Sequence, residues 1–418
     1  MVDDPTLVAV RVFVLLLAAA TGVVYVARLL HLPYSVALVV FGLGVAAVSP
    51  HIVLVPGPQL LLSVLLPGLV FEAAYQTDLG ELRRTFGGVV LLAVPGVLIS
   101  AAVVALVLHL ATGLALGLAF LVGAMVSATD PAAVIAAFKR LGVPGRLHTL
   151  VESESLFNDG TGIVVFAIGL QAVQGDVTFL GGLVAFVLTV AASVGIGIVA
   201  GLVASWLMAR QDDHLVELAI SVVLAYGTYL LADAVHASGI IATVVAGMTL
   251  GSYGRRMAMR PRTRDALDTV WEFVAFLLTA FVFLLIGLAI SLTRLADAGP
   301  WIVWGLIAVV LGRGLVVYVL LGGTTRLRAG RRGQPSLPLP WLHVMFWSGL
   351  RGAVSAALAL SLPADLPERS LLQGITFGIV ICTLLIQGLT IDPLVRRLGL
   401  IEPVGPPPNE PQPAPSGT

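Results

Sequence analysis

Charged residues are scarce in this chain: Asp, Glu, Lys and Arg together make up 11% of its 418 residues. Globular proteins carry about 25% charged residues, so the chain lacks the polar surface that a soluble protein of this length requires. The net charge is zero, which argues against a basic nucleic-acid-binding domain. The single cysteine, Cys382, excludes an internal disulfide framework and a cysteine-rich metal site.

Long apolar runs take the place of charge, with 58% hydrophobic residues and a mean hydropathy of +1.03. The runs are continuously apolar rather than alternating, which indicates spanning helices and not spanning strands. At about 20 residues per crossing, the chain predicts an all-α polytopic membrane protein with about 13 transmembrane helices. The predicted spans lie near residues 7–29, 33–50, 59–77, 87–110, 112–138, 151–173, 178–209, 215–233, 238–253, 269–292, 300–323, 341–362 and 370–392.

Residues 1–400 are thus predicted to form one transmembrane domain, followed by a disordered Pro-rich cytoplasmic tail at 401–418. Basic residues are distributed unevenly between the loops of the two sides. With the N-terminus outside, the loops on the cytoplasmic side hold 18 of the 23 basic residues, and the opposite loops hold only Arg294 and Arg369. Because basic loops stay inside, we expect a cell (inner) membrane protein with the N-terminus outside and the C-terminus in the cytoplasm.

The fifth predicted span is interrupted in its middle by SATDP (127–131). Asp130 followed by Pro131 is a helix-start signature, since a carboxylate caps the helix and proline fits its first position. A helix that restarts within the membrane leaves backbone carbonyls without partners, and such backbone persists only where it lines a buried or wet cavity. We therefore expect Thr129 and Asp130 to lie at a cavity.

The sixth predicted span places Ser155 and Asp159 four residues apart on one face, with Glu154 and Asn158 on the adjoining face. Asp159 lies about 12 Å into the span, too deep to act as a helix cap. Ionisable groups at this depth are functional by default. Arg313 is buried in the eleventh span and requires an acidic partner. Glu154 is the best candidate, and this pairing leaves Asp159 as the acid free to titrate.

The twelfth predicted span carries Arg351 between Gly349 and Gly352 and is expected to be broken or tightly packed. It starts inside whereas the fifth span starts outside, with six spans on each side of the seventh. This placement predicts inverted six-helix repeats, and two interrupted helices in corresponding positions mark a transporter binding site. Glu72, in the third span, lies within about two turns of the cytoplasmic end.

Five stretches carry a resemblance to a known family: FEAAYQTDL (71–79), SATDP, SESLFNDG (153–160), LGRGL (311–315) and SGLRGAVSAALAL (348–360). Together they resemble the NhaP-type sodium/proton antiporters, relatives of the animal sodium–proton exchangers. The resemblance implies a homodimer in which two unwound helices cross at the ion site. It also implies exchange of a monovalent cation for a proton.

By motif match, the resemblance implies that Asp159 is the carboxylate shared by cation and proton. Ser155 and the Thr129 carbonyl would contribute further oxygens, with Asp130 and Glu72 close by. Oxygen atoms are the ligands that hard cations prefer, which agrees with this set.

Four more residues receive roles from the resemblance. Asn158 is expected among the cation- and proton-binding residues, and it stands where electrogenic relatives carry a second aspartate, which implies electroneutral one-for-one exchange. Glu154 and Arg313 resemble the core ion pair of the family, and Arg351 resembles its second arginine.

The predicted function is therefore a secondary active antiporter that exchanges Na⁺ (or Li⁺) for H⁺ and serves pH homeostasis, with membrane lipid as its surroundings and no cofactor. Cation and proton compete for Asp159, and only the neutralised carboxylate crosses. A K⁺/H⁺ antiporter and a sodium-coupled solute symporter remain alternatives. The symporter requires a large polar or aromatic pocket, and aromatic residues are only 7% of the chain. Intramembrane proteolysis is disfavoured, since no GxSG surrounds a mid-membrane serine and the YD and GxGD motifs are absent.

Overall fold

The computed structural model describes residues 5–30, 32–48, 59–175, 179–332 and 337–401, and its regular structure over these ranges is helical. The helices in chain order are α1 (Pro5–Leu29), α2 (Tyr34–Val48), α3 (Leu60–Gln76), α4 (Leu79–Thr112), α5 (Leu116–Met125), α6 (Ala132–Leu141), α7 (Gly145–Gln174), α8 (Phe179–Met208), α9 (His214–Ala234), α10 (239–257), α11 (Pro261–Ala289), α12 (Leu292–Asp297), α13 (299–332), α14 (Leu339–Trp347), α15 (Ala353–Leu360) and α16 (Arg369–Arg397).

Each predicted span coincides with one of these helices or with a pair of half-helices, so the prediction of an all-α polytopic protein is confirmed. Within the described ranges, eight helices are individually long and apolar enough to cross a membrane. Helices α2, α3 and α5 are shorter apolar helices, so the number of crossings and the inverted repeats stay predictions. Apart from residue 401, the predicted disordered tail lies outside the described residues.

Both predicted interruptions are present. Helix α5 ends at Met125 and α6 begins at Ala132, while α14 ends at Trp347 and α15 begins at Ala353. Pro131 is the residue that precedes α6, one position earlier than predicted. The reason is that its carbonyl already accepts the first helical hydrogen bond, which is the role of a capping residue.

The bundle places α7 next to both interrupted segments. Helix α7 packs against α5, α6 and α15, and on another side against α10. Helices α2 and α11 cross at Gly42 and Gly287, where a Cβ on Gly287 would lie 2.4 Å from the Val39 carbonyl oxygen. Glycine is therefore required for the close approach of the two helices. The described core is one large apolar cluster, with a smaller one around Phe71 and Trp271.

The outer surface is apolar along several helices. Helix α8 exposes Leu183, Val187 and Val199, and α1 exposes Phe13 and Leu15. Soluble monomers rarely leave apolar patches of this extent in contact with water. These faces agree with a multi-pass membrane protein whose outer helices face lipid.

Candidate ion-binding site

The two interrupted segments contact each other through their backbones. The Asp130 N–H donates to the Leu350 carbonyl at 2.8 Å. A Cβ at Gly352 would lie 2.0 Å from Asp130 Oδ2, so a side chain at this position would collide with the carboxylate. Sequence positions more than 200 residues apart thereby form one polar centre.

Asp130 joins the starts of two half-helices. Its Oδ1 accepts the Ala132 N–H at 3.0 Å, at the start of α6. Its Oδ2 accepts the Ala353 N–H at 3.2 Å, at the start of α15. Helix N-termini carry partial positive charge, so a single carboxylate stabilises both of them.

Two arginines lie where the other half-helices end. Arg351 Nη1 donates to the carbonyls of Ser127 and Ala128, just beyond α5, at 3.4 Å each. Arg313 donates to the Met345 carbonyl, in the last turn of α14, from Nε at 3.1 Å and from Nη2 at 2.6 Å. Cations are stabilising at helix C-termini, so the charges of all four half-helix ends at the crossing are matched.

Arg313 and Glu154 form a buried ion pair, as the scarcity of acids at this depth predicts. Arg313 Nη1 donates to Glu154 Oε1, and Nη2 donates to Oε2 at 3.1 Å. The two residues are 5% and 2% exposed. Loss of either partner would leave an uncompensated buried charge, which costs about 3–5 kcal/mol.

Thr129 is held in place by α7. The Ser155 hydroxyl donates to the Thr129 carbonyl, and Asn158 Nδ2 donates to the Thr129 hydroxyl at 2.8 Å. The Thr129 N–H in turn donates to Asn158 Oδ1 at 3.3 Å. The Ser155 and Thr129 oxygens, both predicted ligands, are therefore adjacent, and each retains a lone pair for a cation.

A cavity of about 460 Å³ lies beside this crossing. Five of the six predicted cation- and proton-binding residues line it, namely Asp159, Ser155, Thr129, Asp130 and Glu72. No salt bridge involves Asp159 within the described part of the chain. Asp159 is therefore a carboxylate without a basic partner, beside oxygen atoms in an internal cavity.

The sixth predicted residue, Asn158, does not line this cavity. Its amide is bound to Thr129 on both sides, as described above. The helical spacing predicted this difference from Asp159 in part, since Asn158 shares a face with Glu154 and not with Ser155. Asn158 therefore holds Thr129 in position and does not itself face the cavity.

The other end of the cavity is lined by charged residues near helix ends. Arg28 lies in the last turn of α1, Lys139 in the last turn of α6, and Glu152 near the start of α7. With Glu272 of α11, five acidic and two basic residues line the cavity. An excess of acidic groups in a cleft concentrates cations. This end of the bundle is the one that the basic loops predict to be cytoplasmic.

Four further polar residues line the cavity and were missed in the sequence, namely Tyr34, Glu272, Thr279 and Ser355. A signal for Glu272 existed, because it is a charge within the predicted span 269–292. Ser355 lies in the twelfth predicted span, four residues after Arg351. Its only signal in the sequence was a polar side chain in an apolar span, which is weak evidence for a functional residue. Tyr34 had no signal, since tyrosine at a span end is common at membrane interfaces.

Comparison with known proteins agrees with the family resemblance seen in the sequence motifs. The chain matches the family model described as "Sodium/hydrogen exchanger, transmembrane" over residues 13–397. It is 40% identical over 397 residues to the Na(+)/H(+) antiporter ApNhaP of Aphanothece halophytica, covering 93% of this chain and 75% of that protein. It is also 40% identical over 372 residues to the low-affinity Na(+)/H(+) antiporter NhaS1 of Synechocystis sp., covering 88% of this chain and 70% of that protein.

The fold is similar to a solved structure, that of the sodium proton antiporter MjNhaP1 from Methanocaldococcus jannaschii at pH 8. The TM-score is 0.75 at 19% sequence identity, and the match covers 94% of this chain and 99% of that chain. At this identity the likeness concerns the fold, and the arrangement of the site depends on the contacts described above.

Proposed function

The chain belongs to the sodium/hydrogen exchanger family, and from that premise we propose that it is a secondary active antiporter exchanging Na⁺ (or Li⁺) for H⁺ across the cell membrane. The observation that carries the proposal is the position of Asp159. This carboxylate has no basic partner in the described structure and lines an acidic cavity with the Ser155 hydroxyl and the Thr129 carbonyl.

Competition at this carboxylate explains coupling. Sodium and lithium are hard cations that bind carboxylate, hydroxyl and carbonyl oxygens, all of which Asp159, Ser155 and Thr129 supply. A proton on Asp159 removes the charge that the cation requires. An empty, charged carboxylate at this depth is costly, so the protein changes its access only when a cation or a proton neutralises Asp159.

The surroundings of Asp159 support one-for-one exchange. The Asn158 amide is bound to Thr129, and both Asp130 oxygens accept backbone hydrogen bonds from half-helix starts. Asp159 is then the carboxylate that exchanges ions, while Asp130 holds the crossing together. Glu72, on the cavity wall, contributes through water to the hydration of the incoming cation.

The cavity supports an inward-open state. Its charged rim lies at the end predicted to be cytoplasmic, with the N-terminus outside and the C-terminus inside. Next to Asp159, Gly160 packs so tightly on Ile241 of α10 that a Cβ would lie 2.5 Å from Ile241 Cγ1. This contact is proposed to close the outer path. Lipid would cover the apolar outer faces, and the family resemblance suggests a homodimer.

The test is dye-monitored exchange in everted membrane vesicles that carry a pre-formed pH gradient. Addition of Na⁺ or Li⁺ should dissipate the gradient without any organic solute, which a solute symporter would not do. Asp159→Asn should abolish the response while the protein still assembles. Asp233→Asn serves as the matched control, because Asp233 lies at the end of α9 and does not line the cavity.

Two outcomes would redirect the proposal. Robust exchange by the assembled Asp159→Asn protein would remove Asp159 from the mechanism. A response to K⁺ with none to Na⁺ or Li⁺ would identify the K⁺/H⁺ alternative within the same family.

A further inference from the structure

Ser355 is a buried hydroxyl without a partner. The residue is 1% exposed, and its Oγ makes no hydrogen bond within the described residues. It lines the same cavity as Asp159. A buried hydroxyl left unpaired destabilises a fold, so its retention beside the ion site requires an explanation.

Local geometry explains why Ser355 has no internal partner. The buried residues Ser127, Ser205 and Ser348 each donate to a carbonyl three or four residues earlier, in the preceding helical turn. Ser355 is the third residue of α15, so the carbonyl four residues earlier belongs to Arg351 and precedes the helix. Its hydroxyl is therefore available to a group within the cavity.

The charges of the cavity indicate which kind of group this is. Asp130 already caps α15 through the Ala353 N–H, so the positive end of that helix is matched. Asp130 and Asp159 both line the cavity, in which acidic residues outnumber basic ones. A mobile cation is the species that such a cavity concentrates, and a hydroxyl oxygen is a suitable ligand for it.

We propose that Ser355 is a further cation-binding residue, whose hydroxyl supplies an oxygen to the Na⁺ or Li⁺ held at Asp159. The inference rests on the proposed function and extends it. Both interrupted segments then contribute to the cation, the first through Thr129 and the second through Ser355. Cation binding thereby stabilises the crossing itself, and Ser355 contributes to the choice among alkali cations.

Two variants separate this role from a structural one. Ser355→Ala removes the proposed ligand. Ser153→Ala is the matched control, because Ser153 is also fully buried, also lacks a hydrogen-bond partner among the described residues, and does not line the cavity. Ser355→Thr keeps the hydroxyl and should retain the behaviour of the unmodified protein.

Thermal unfolding of the purified proteins, with and without Na⁺, gives the first measurement. Without Na⁺, Ser355→Ala should be as stable as the unmodified protein or more stable, since an unpaired buried hydroxyl is removed. The stabilisation added by Na⁺ should shrink in Ser355→Ala and persist in Ser153→Ala, because a ligand stabilises the state that it binds.

Exchange in vesicles gives the second measurement. Ser355→Ala should raise the apparent KM for Na⁺ roughly tenfold, as expected for one lost interaction with a charged group. The maximal rate should change little, and the ratio of the Na⁺ and Li⁺ KM values should shift. Ser153→Ala should leave all three quantities unchanged.

The outcomes are distinct. If the unmodified protein shows no Na⁺- or Li⁺-dependent exchange, the proposed function fails. If it exchanges but Ser355→Ala keeps the KM values and the Na⁺-induced stabilisation of Ser153→Ala, Ser355 is not a ligand. If Ser355→Ala is less stable than the unmodified protein without Na⁺ and its KM is unchanged, the hydroxyl binds a structural water and not the cation.

Discussion

The contact between Gly160 and Ile241 gives the sharpest test of alternating access. A Cβ at residue 160 would lie 2.5 Å from Ile241 Cγ1, 3.4 Å from Cδ1 and 3.7 Å from Cβ. Carbon atoms pack best at about 3.5–4.0 Å, so Gly160→Ala forces a displacement of about 1 Å. Overpacking of this kind costs about 1–3 kcal/mol. If the contact exists only in the inward-open state, that state should lose a factor of roughly 5 to 150 relative to the outward-open one.

Second-site variants make the prediction specific. Ile241→Ala removes the carbon that collides and should restore the balance in the Gly160→Ala background. Ile241→Val keeps both γ carbons and removes only Cδ1, so it should restore little. The pair of variants distinguishes relief of a defined collision from a general loosening of α10.

The population of the inward-open state can be measured by labelling a residue at the cavity rim. A reporter Glu272→Cys, in a Cys382→Ala background, should react with an impermeant thiol reagent from the cytoplasmic side in everted vesicles. Gly160→Ala should slow labelling and exchange together, and Ile241→Ala should recover both. Labelling and exchange at the unmodified rate in Gly160→Ala would refute the assignment of this contact to the closed outer path.

Two further predictions concern charge. The proposed competition of protons and Na⁺ for Asp159 predicts that acid pH raises the apparent KM for Na⁺, by up to about tenfold per pH unit where the proton dominates, with little change in the maximal rate. A pH-independent KM in vesicle assays would contradict a shared site. Glu154→Gln should destabilise the protein by about 3–5 kcal/mol, because it strands the Arg313 guanidinium in a buried position. Lower yield and faster thermal inactivation than in a Glu81→Gln control, whose salt bridge to Arg84 is exposed, would be the expected result.

Local rules explain which parts of the site were predictable. The break in the fifth span was predictable from Asp130 and Pro131, since a capping carboxylate and the missing proline N–H act within a few residues. The Glu154–Arg313 pair was predictable from scarcity, because a buried arginine requires an acid and few acids lie at that depth. The position of Pro131 before α6, rather than within it, was a one-residue error of the same local kind.

Long-range contacts explain what was not predictable. The second hydrogen bond of Asp130 goes to Ala353, 223 residues away. The contact between the Asn158 amide and Thr129, 29 residues apart in the chain, was not predicted either. Ser355 was missed because serine in an apolar helix usually bonds to its own preceding turn, whereas Ser355 lies at the start of α15 and makes no such bond.

The sequence by itself determined that this chain is a multi-pass membrane protein, and it predicted Asp159 as the carboxylate that cation and proton share. Both conclusions depend on the free-energy cost of placing a charge in an apolar medium. That cost is a property of the individual side chain and can be read from the sequence without knowing its neighbours in the fold. The tertiary structure alone decided which oxygen atoms surround that carboxylate and which are bound to one another. Hydrogen bonds require atoms to meet within about 3 Å, and here those atoms come from segments that only the folded bundle brings together.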